Sequence, residues 1–534
     1  MKTKCLFLAV CILLACCPLL ADEGHHHEMT AEQVGSVSFP TSCAPAVQKD
    51  FEHGVAWLHS FEYEQAGKQF AAVAQADPKC AMAYWGEAMS LYHQLWSRPD
   101  ANDVKQAAAW LAQAKQLNAK TQRERDYIAA LTLFYASDDP AGYNARVAAY
   151  SDAMDKLRQA DPQDREAAVF YALSLLASSD GNDPALTKER KAVGILNEQL
   201  KGAPTHPGIT HYIIHATDNP QLAALGLDAA RAYAKIAPAS THAVHMPSHI
   251  FARLGLWQDD IQSNLAALAV ADKMTGYHMA HHRIHSMEFL EYAYLQIGDD
   301  RDAKAQVDAL LAIPKSAIDP AYMEAYQDRL VTFPSTYALE RKQWKDALAV
   351  QADPSAPPYV QAGASWTHAI AAGHLKDAAA AKAAVDQYLA LIEATKKSRN
   401  AYLARYMDMG RDEAIAWLRH AEGNDDEAVR LLRAVADKQD KVGKGEVELP
   451  AREMLGDLLL EAGRPAEALA EYETALKTDP NRFNGLYGAA RAAEEAKQTQ
   501  KAAEYYAQLV KNCSGSASER PELARAKSLA TAGE

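Results

Sequence analysis

The chain has 534 residues, 49% hydrophobic and 23% charged, with a formal net charge of -14 at pH 7. That length calls for several domain-sized units or one long solenoid. The composition excludes a disordered chain, a collagen-like chain and a multi-span membrane protein, and so acidic a body is a poor nucleic-acid binder.

Residues 1–21 place Lys2 and Lys4 before an apolar run from Cys5 to Leu14 and then small residues. This is the layout of a secretory signal peptide, so the expected location is exported, periplasmic or extracellular. Cleavage after Ala21 removes two lysines and takes the net charge from -14 to -16. Alternatively, Leu13-Leu14-Ala15-Cys16 reads as a lipobox that leaves a lipid anchor on Cys16. No later stretch approaches the ~20 apolar residues that span a bilayer. Residues 22–44 form a polar N-terminal segment that includes His25, His26 and His27.

Four of the seven cysteines lie in the leader, which leaves Cys43, Cys80 and Cys513. Three thiols allow one disulfide with one left over. Cys43 and Cys80 flank one predicted helical hairpin and form the expected pair in an oxidising compartment, with three unpaired thiols as the alternative.

Ala-, Glu- and Lys-rich stretches with little Val, Ile or Thr alternation predict an all-α protein, and small residues recur through it with a helical-hairpin spacing. Gly54, Ala66, Phe70 and Pro78 near the start match Gly456, Ala468, Tyr472 and Pro480 near the end. Adding 34 to Ala468 and Tyr472 reaches Ala502 and Tyr506. A Gly followed five residues later by Ala recurs at Gly298, Gly373, Gly423 and Gly463, and each is expected to be a turn glycine. Asp161-Pro162 and Trp344 with Ala347 suggest further units, for roughly nine to eleven hairpins in all.

This register resembles tetratricopeptide-repeat (TPR) proteins. The resemblance implies a right-handed superhelical solenoid of TPR-like helical hairpins whose first helices line the concave face. The expected divisions are N-terminal repeats over 45–200, His-rich repeats over 201–312, middle repeats over 313–440, a loop over 441–450 and C-terminal repeats over 451–534.

Ten of the nineteen histidines fall between His206 and His285, far more than an even spread would place there. Four pairs stand four apart: His211/His215, His245/His249, His278/His282 and His281/His285. On a helix such a pair shares one face and can reach one ion. Taking Gly255 and Gly298 as turn glycines places the three His groups on or before the first helices of consecutive repeats. His211, His215, His245, His249, His281 and His285 are therefore the expected ligands of one or two transition-metal ions. His242, His278 and His282 are additional candidates, as are Glu288 and Asp218, which serve as ligands or hold the rings from behind. Imidazole suits copper, zinc or iron. Met246, Met279 and Met287 nearby lean towards copper, or simply fill core. The competing reading makes these imidazoles hydrogen-bonded core residues and helix caps.

Pro247 breaks the local rule, because a helix interior loses a hydrogen bond there. The helix is expected to start or bend at that point. The segment from His245 to Gly255 resembles a motif of a subset of bacterial TPR proteins, with His211, Tyr212, His215, His245, Pro247, His249, Arg253 and His285 as matching positions. That resemblance implies export and the repeat architecture but no activity. His53, His59 and His93 are expected in solvent or core, with a contribution to the pocket as the alternative, and Trp57, Trp85, Trp96, Trp257 and Trp344 in the core. HExxH, paired CxxC, P-loop and GxSxG motifs are absent from the sequence, so zincin, zinc-ribbon, NTPase and hydrolase readings lack their usual marks. Two functions remain: a metal-binding protein or metalloenzyme framed by repeats, and a metal-free scaffold for a peptide or protein partner.

Overall fold

The computed structural model describes residues 33–179, 183–273 and 277–530, without the side chains of 277–280, 321 and 442. The expected signal peptide, Cys16, the His25–His27 tract and the His278 ring lie outside the described residues. Among the described residues the chain is all-α, without a strand. No helix there is long and apolar enough to cross a membrane.

The N-terminal hairpins pair α1 (Gln48–His59) with α2 (Tyr63–Ala76), α3 (Ala81–Met89) with α4 (Ala101–Leu117), and α5 (Gln122–Phe134) with α6 (Tyr143–Ala160). They continue with α7 (Arg165–Ala177) and α8 (Thr187–Leu200), then α9 (Pro207–Thr217) and α10 (Ala223–Ile236). Next come α11 (Thr241–His245) and α12 (Pro247–Arg253) against α13 (Trp257–Ala271), and α14 (Tyr277–Gln296) with α15 (Asp300–Leu311). The middle holds α16 (Met323–Glu340), the single-turn α17 (Trp344–Ala347), α18 (Pro358–His374), α19 (Ala378–Lys396), α20 (Met407–Ala421) and α21 (Asp425–Val442). The end is built from α22 (Ala451–Glu461), α23 (Pro465–Thr478), α24 (Phe483–Glu495), α25 (Thr499–Asn512) and α26 (Pro521–Ala530). With α11 and α12 counted as one arm, α1–α25 make twelve hairpins, slightly more than the repeat spacing predicts. Consecutive helices pack on one another along the chain, which is a helical solenoid.

Glycine and aromatic residues set the close packing at both ends. A Cβ on Gly54 or Gly86 would fall 2.7 or 2.3 Å from the Phe70 ring. Gly456 and Gly488 leave the same room for Tyr472, again at 2.7 and 2.3 Å. Gly255 (φ 63°) and Gly298 (φ 75°) close the turns after α12 and α14 in the left-handed conformation that L side chains resist. Gly373 corrects the expectation of a turn glycine. It lies inside α18 because Trp417 packs against its missing Cβ, and Lys376 (φ 57°) makes that turn instead.

Several first helices are enclosed on all sides. Every residue from Glu166 to Leu175 of α7 and from Pro207 to Ile214 of α9 is buried, as suits helices apolar all round. One reason is that α1 packs beside α9, four hairpins later. A strap ahead of α1 adds to this: Val34 and Phe39 are fully buried, and Ser36 N–H donates to the Thr205 carbonyl at 3.1 Å. At the other end the buried Arg482 guanidinium bridges Glu340 (2.6 Å) and Glu453 (2.8 Å), tying α24 to α16 and α22. Asn512 donates to the Gln296 carbonyl at 2.9 Å and brings α25 back onto α14.

Cys43 and Cys80 form the expected disulfide, with Cα atoms 4.7 Å apart, and Cys513 is a buried free thiol. The bond ties the strap to the start of α3 across 37 residues. Chain entropy assigns such a closure about 3–4 kcal/mol. Denaturant unfolding of a Cys43→Ser/Cys80→Ser variant is expected to show a loss of that order. A midpoint unchanged from the parent would contradict it.

Candidate metal centre

Three adjacent first arms bring the histidines together: α9 touches α12, and α11 touches α14. Pro247 opens α12 at its first position, where a missing N–H costs nothing. His242 and His245 therefore sit on α11 and His249 on α12. The side chain of Ser240 caps α11 by accepting from Ala243 N–H, and its hydroxyl donates to the buried Glu62 at 2.8 Å.

The rings divide into two triads. The first is His211, His215 and His242, whose ligand atoms lie within 4.8 Å of one another. His211 Nδ1 donates to the His59 backbone carbonyl at 2.6 Å, so its Nε2 carries a lone pair. Nε2 of His215 and Nε2 of His242 each approach that atom to 3.0 Å. One sp² lone pair accepts one N–H bond, so a proton can settle only one of the two contacts. Nitrogens sharing an ion through bonds of about 2.0–2.1 Å would stand roughly 3–3.4 Å apart.

The second triad is His245, His249 and His285, again within 4.8 Å. Asn264 receives the His245 Nδ1 proton at 2.6 Å. Its amide is oriented by Asp260, four residues earlier on α13, which accepts both Asn264 Nδ2 contacts. His249 Nδ1 faces Asp218 at 2.9 Å and Glu446 at 3.1 Å, and Arg253 lies against both carboxylates. His285 Nδ1 faces Glu288 at 3.2 Å. His249 Nε2 lies 3.1 Å from His245 Nε2. Oxygen acceptors on the outer ring nitrogens are what orients imidazole ligands in metal sites.

The two triads are neighbours, because His242 and His245 share α11 with ring centres 6.5 Å apart. The candidate ligands for one or two ions thus gather in two groups. His242 enters the first triad. His281, one turn before His285 on α14, stacks on Tyr322 at 5.1 Å and lies parallel to His285 with ring centres 6.3 Å apart. His282 lies 5.9 Å from His242 without joining either group. Asp218 and Glu288 lie against the outer Nδ1 of His249 and His285, and Asp218 also groups with His249 and Glu446 within 4.8 Å. Trp96, expected in the core, is 41% exposed and meets the His242 ring edge to face with ring centres 4.9 Å apart.

A third cluster is fully satisfied by hydrogen bonds. Glu166 accepts from His59 Nε2 at 2.7 Å and His206 Nε2 at 2.8 Å. Tyr212 OH donates to His59 Nδ1, and Ile209 N–H donates to His206 Nδ1, which caps α9. Burial opposes the Glu166 charge, but His206 and His59 hold the carboxyl well below its usual range. This network fixes the residue whose carbonyl orients His211. Neither that role of His59 nor the parts played by Asn264 and Glu446 is visible in the sequence spacing.

Burial, reinforced by neighbouring histidines, lowers His211, His242, His245 and His285 well below the ordinary imidazole range. Burial and then His249 take His215 to about 3. His249 goes the other way: burial opposes its charge, yet Glu446 and Asp218 raise it to about 10.

Residues 453–517 match the tetratricopeptide repeat family. No curated protein matches the chain. Among solved structures, the human IFIT1 dimer with m7Gppp-AAAA is similar at 12% identity over 81% of this chain and 90% of that one, with a TM-score of 0.35. The APC/C hetero-tetramer Cut9-Hcn1 is similar at 11% identity over 90% and 89%, with a TM-score of 0.33.

The lowered rings have a consequence for stability. They stay neutral in the folded protein but take up protons in the unfolded chain below pH ~6.5. Their contribution is therefore present above that pH and lost as pH falls, by up to about 1.4 kcal/mol per unit for each ring. Denaturation of metal-free protein is expected to show a steep decline from pH 7 to pH 5. A midpoint constant over that interval would contradict these environments.

Proposed function

We propose that the protein is a repeat scaffold that holds transition-metal ions, copper, zinc or iron, in two adjacent three-histidine sites, and that it works after export to the cell envelope. The observation that carries the reading is the meeting of three Nε2 atoms at His211, where one lone pair cannot serve two N–H donors. The second triad supports it, with every outer nitrogen facing an oxygen acceptor. Export rests on the leader-like N-terminus and agrees with the Cys43–Cys80 disulfide.

A second reading, a metal-free scaffold for a peptide or protein partner, draws on the TPR match at residues 453–517. The enclosed helices α7 and α9 leave little of the N-terminal inner face for such a partner.

Elemental analysis of protein purified without a histidine tag separates the two. The expected result is near-stoichiometric copper, zinc or iron, reduced by about one ion per chain in His211→Gln and again in His245→Gln. A folded, metal-free protein whose metal uptake is unchanged by both substitutions would defeat the metal reading.

A further inference from the structure

The two triads have different electrostatic surroundings. Among the described residues, the rings of His211, His215 and His242 make no hydrogen bond or ion pair to a carboxylate; their one contact outside the triad through a ring nitrogen is a neutral carbonyl. Their walls are aromatic. Phe61 lies 4.4, 5.4 and 5.7 Å from the three rings, Tyr233 stacks on His211 at 5.0 Å, and Trp96 meets His242. Around the second triad, Asp218, Glu446 and Glu288 touch the ligand rings, opposed by Arg253 and Arg329. Once an ion displaces the His249 proton, three carboxylates face two guanidiniums and leave a local excess of negative charge.

The cost of burying an ion rises with the square of its charge, so a divalent ion costs about four times as much as a monovalent one of equal size. Three neutral imidazoles and aromatic faces offset a single positive charge, partly through the ring quadrupoles. Among the described residues no carboxylate touches these rings; Glu446 reaches His215 only through space, so a second charge is offset far less here than beside His249. Among the metals that imidazole suits, copper has an accessible monovalent state.

Resting on the metal-binding reading, we infer that the triads sort ions by charge: His211, His215 and His242 bind monovalent copper, and His245, His249 and His285 bind a divalent ion. Glu446 is a positioning residue for the divalent site. It arrives from the loop before α22, 197 residues from His249.

The test uses untagged, metal-free full chain under anaerobic conditions, titrated with Cu(I) against bicinchoninate and with Zn(II) against a chromophoric chelator, separately and together. The expected result is one Cu(I) and one Zn(II) bound at once. His242→Asn should weaken Cu(I) by roughly 100-fold with Zn(II) little changed, and His285→Asn should do the converse. Glu446→Gln, which removes only a charge, should weaken Zn(II) about tenfold and Cu(I) clearly less, since Glu446 touches His249 but reaches His215 only through space. Wild-type competition and Glu446→Gln keep the test decisive if a histidine variant fails to fold. Two Zn(II) per chain with one lost in each histidine variant, or Cu(I) weakened as much as Zn(II) by Glu446→Gln, would overturn the sorting while leaving metal binding intact. A folded wild type that takes neither ion would overturn both.

Discussion

His211 donates its Nδ1 proton to the carbonyl of His59 at 2.6 Å, and that bond aims a bare Nε2 lone pair at two other imidazoles. The arrangement exists only because α1 lies beside α9, four hairpins on. His59 is itself held through Glu166, Tyr212 and His206, in a buried chain where each proton has one acceptor. A partly satisfied polar cluster at such depth would be expensive. The network behind the triad is complete, and the crowding is confined to the three converging nitrogens.

The solenoid supplies what a single hairpin could not. Neither triad comes from one repeat alone: α9 and α11 share the first, and α11, α12 and α14 share the second. Distant segments then finish the walls: Phe61 and Trp96 come from the first two hairpins, and Glu446 from the loop ahead of the C-terminal repeats. That loop is anchored at Lys444 by Asp479 (2.7 Å) and at the Glu448 carbonyl by Tyr292 (3.1 Å). The Arg482 bridge to Glu340 and Glu453 ties together the repeats behind it. The second triad is thus coupled to the packing of both halves of the chain.

Features that depend on local periodicity were legible in the sequence. The repeat register, the turn at Gly255 and Gly298, the break at Pro247 and the four-residue His pairs all follow from helix geometry. So did the Cys43–Cys80 pair, through the hairpin it flanks. What was not legible depends on how distant elements approach. Gly373 has the spacing of a turn residue, yet the bulk of Trp417 makes it a packing residue. His281 had the four-residue spacing and His242 did not, yet tertiary packing sets His242 Nε2 3.0 Å from His211 Nε2 and His281 against Tyr322. Asn264 and Glu446 carry no motif; their roles arise where α13 and a remote loop meet the rings.

The most direct measurement is anomalous diffraction from crystals of untagged protein at the copper and zinc edges. Two peaks are expected, one bounded by His211, His215 and His242 and the other by His245, His249 and His285, each about 2 Å from three ring nitrogens. Peaks confined to other residues, or well-ordered triads without a peak in metal-supplemented crystals, would contradict it.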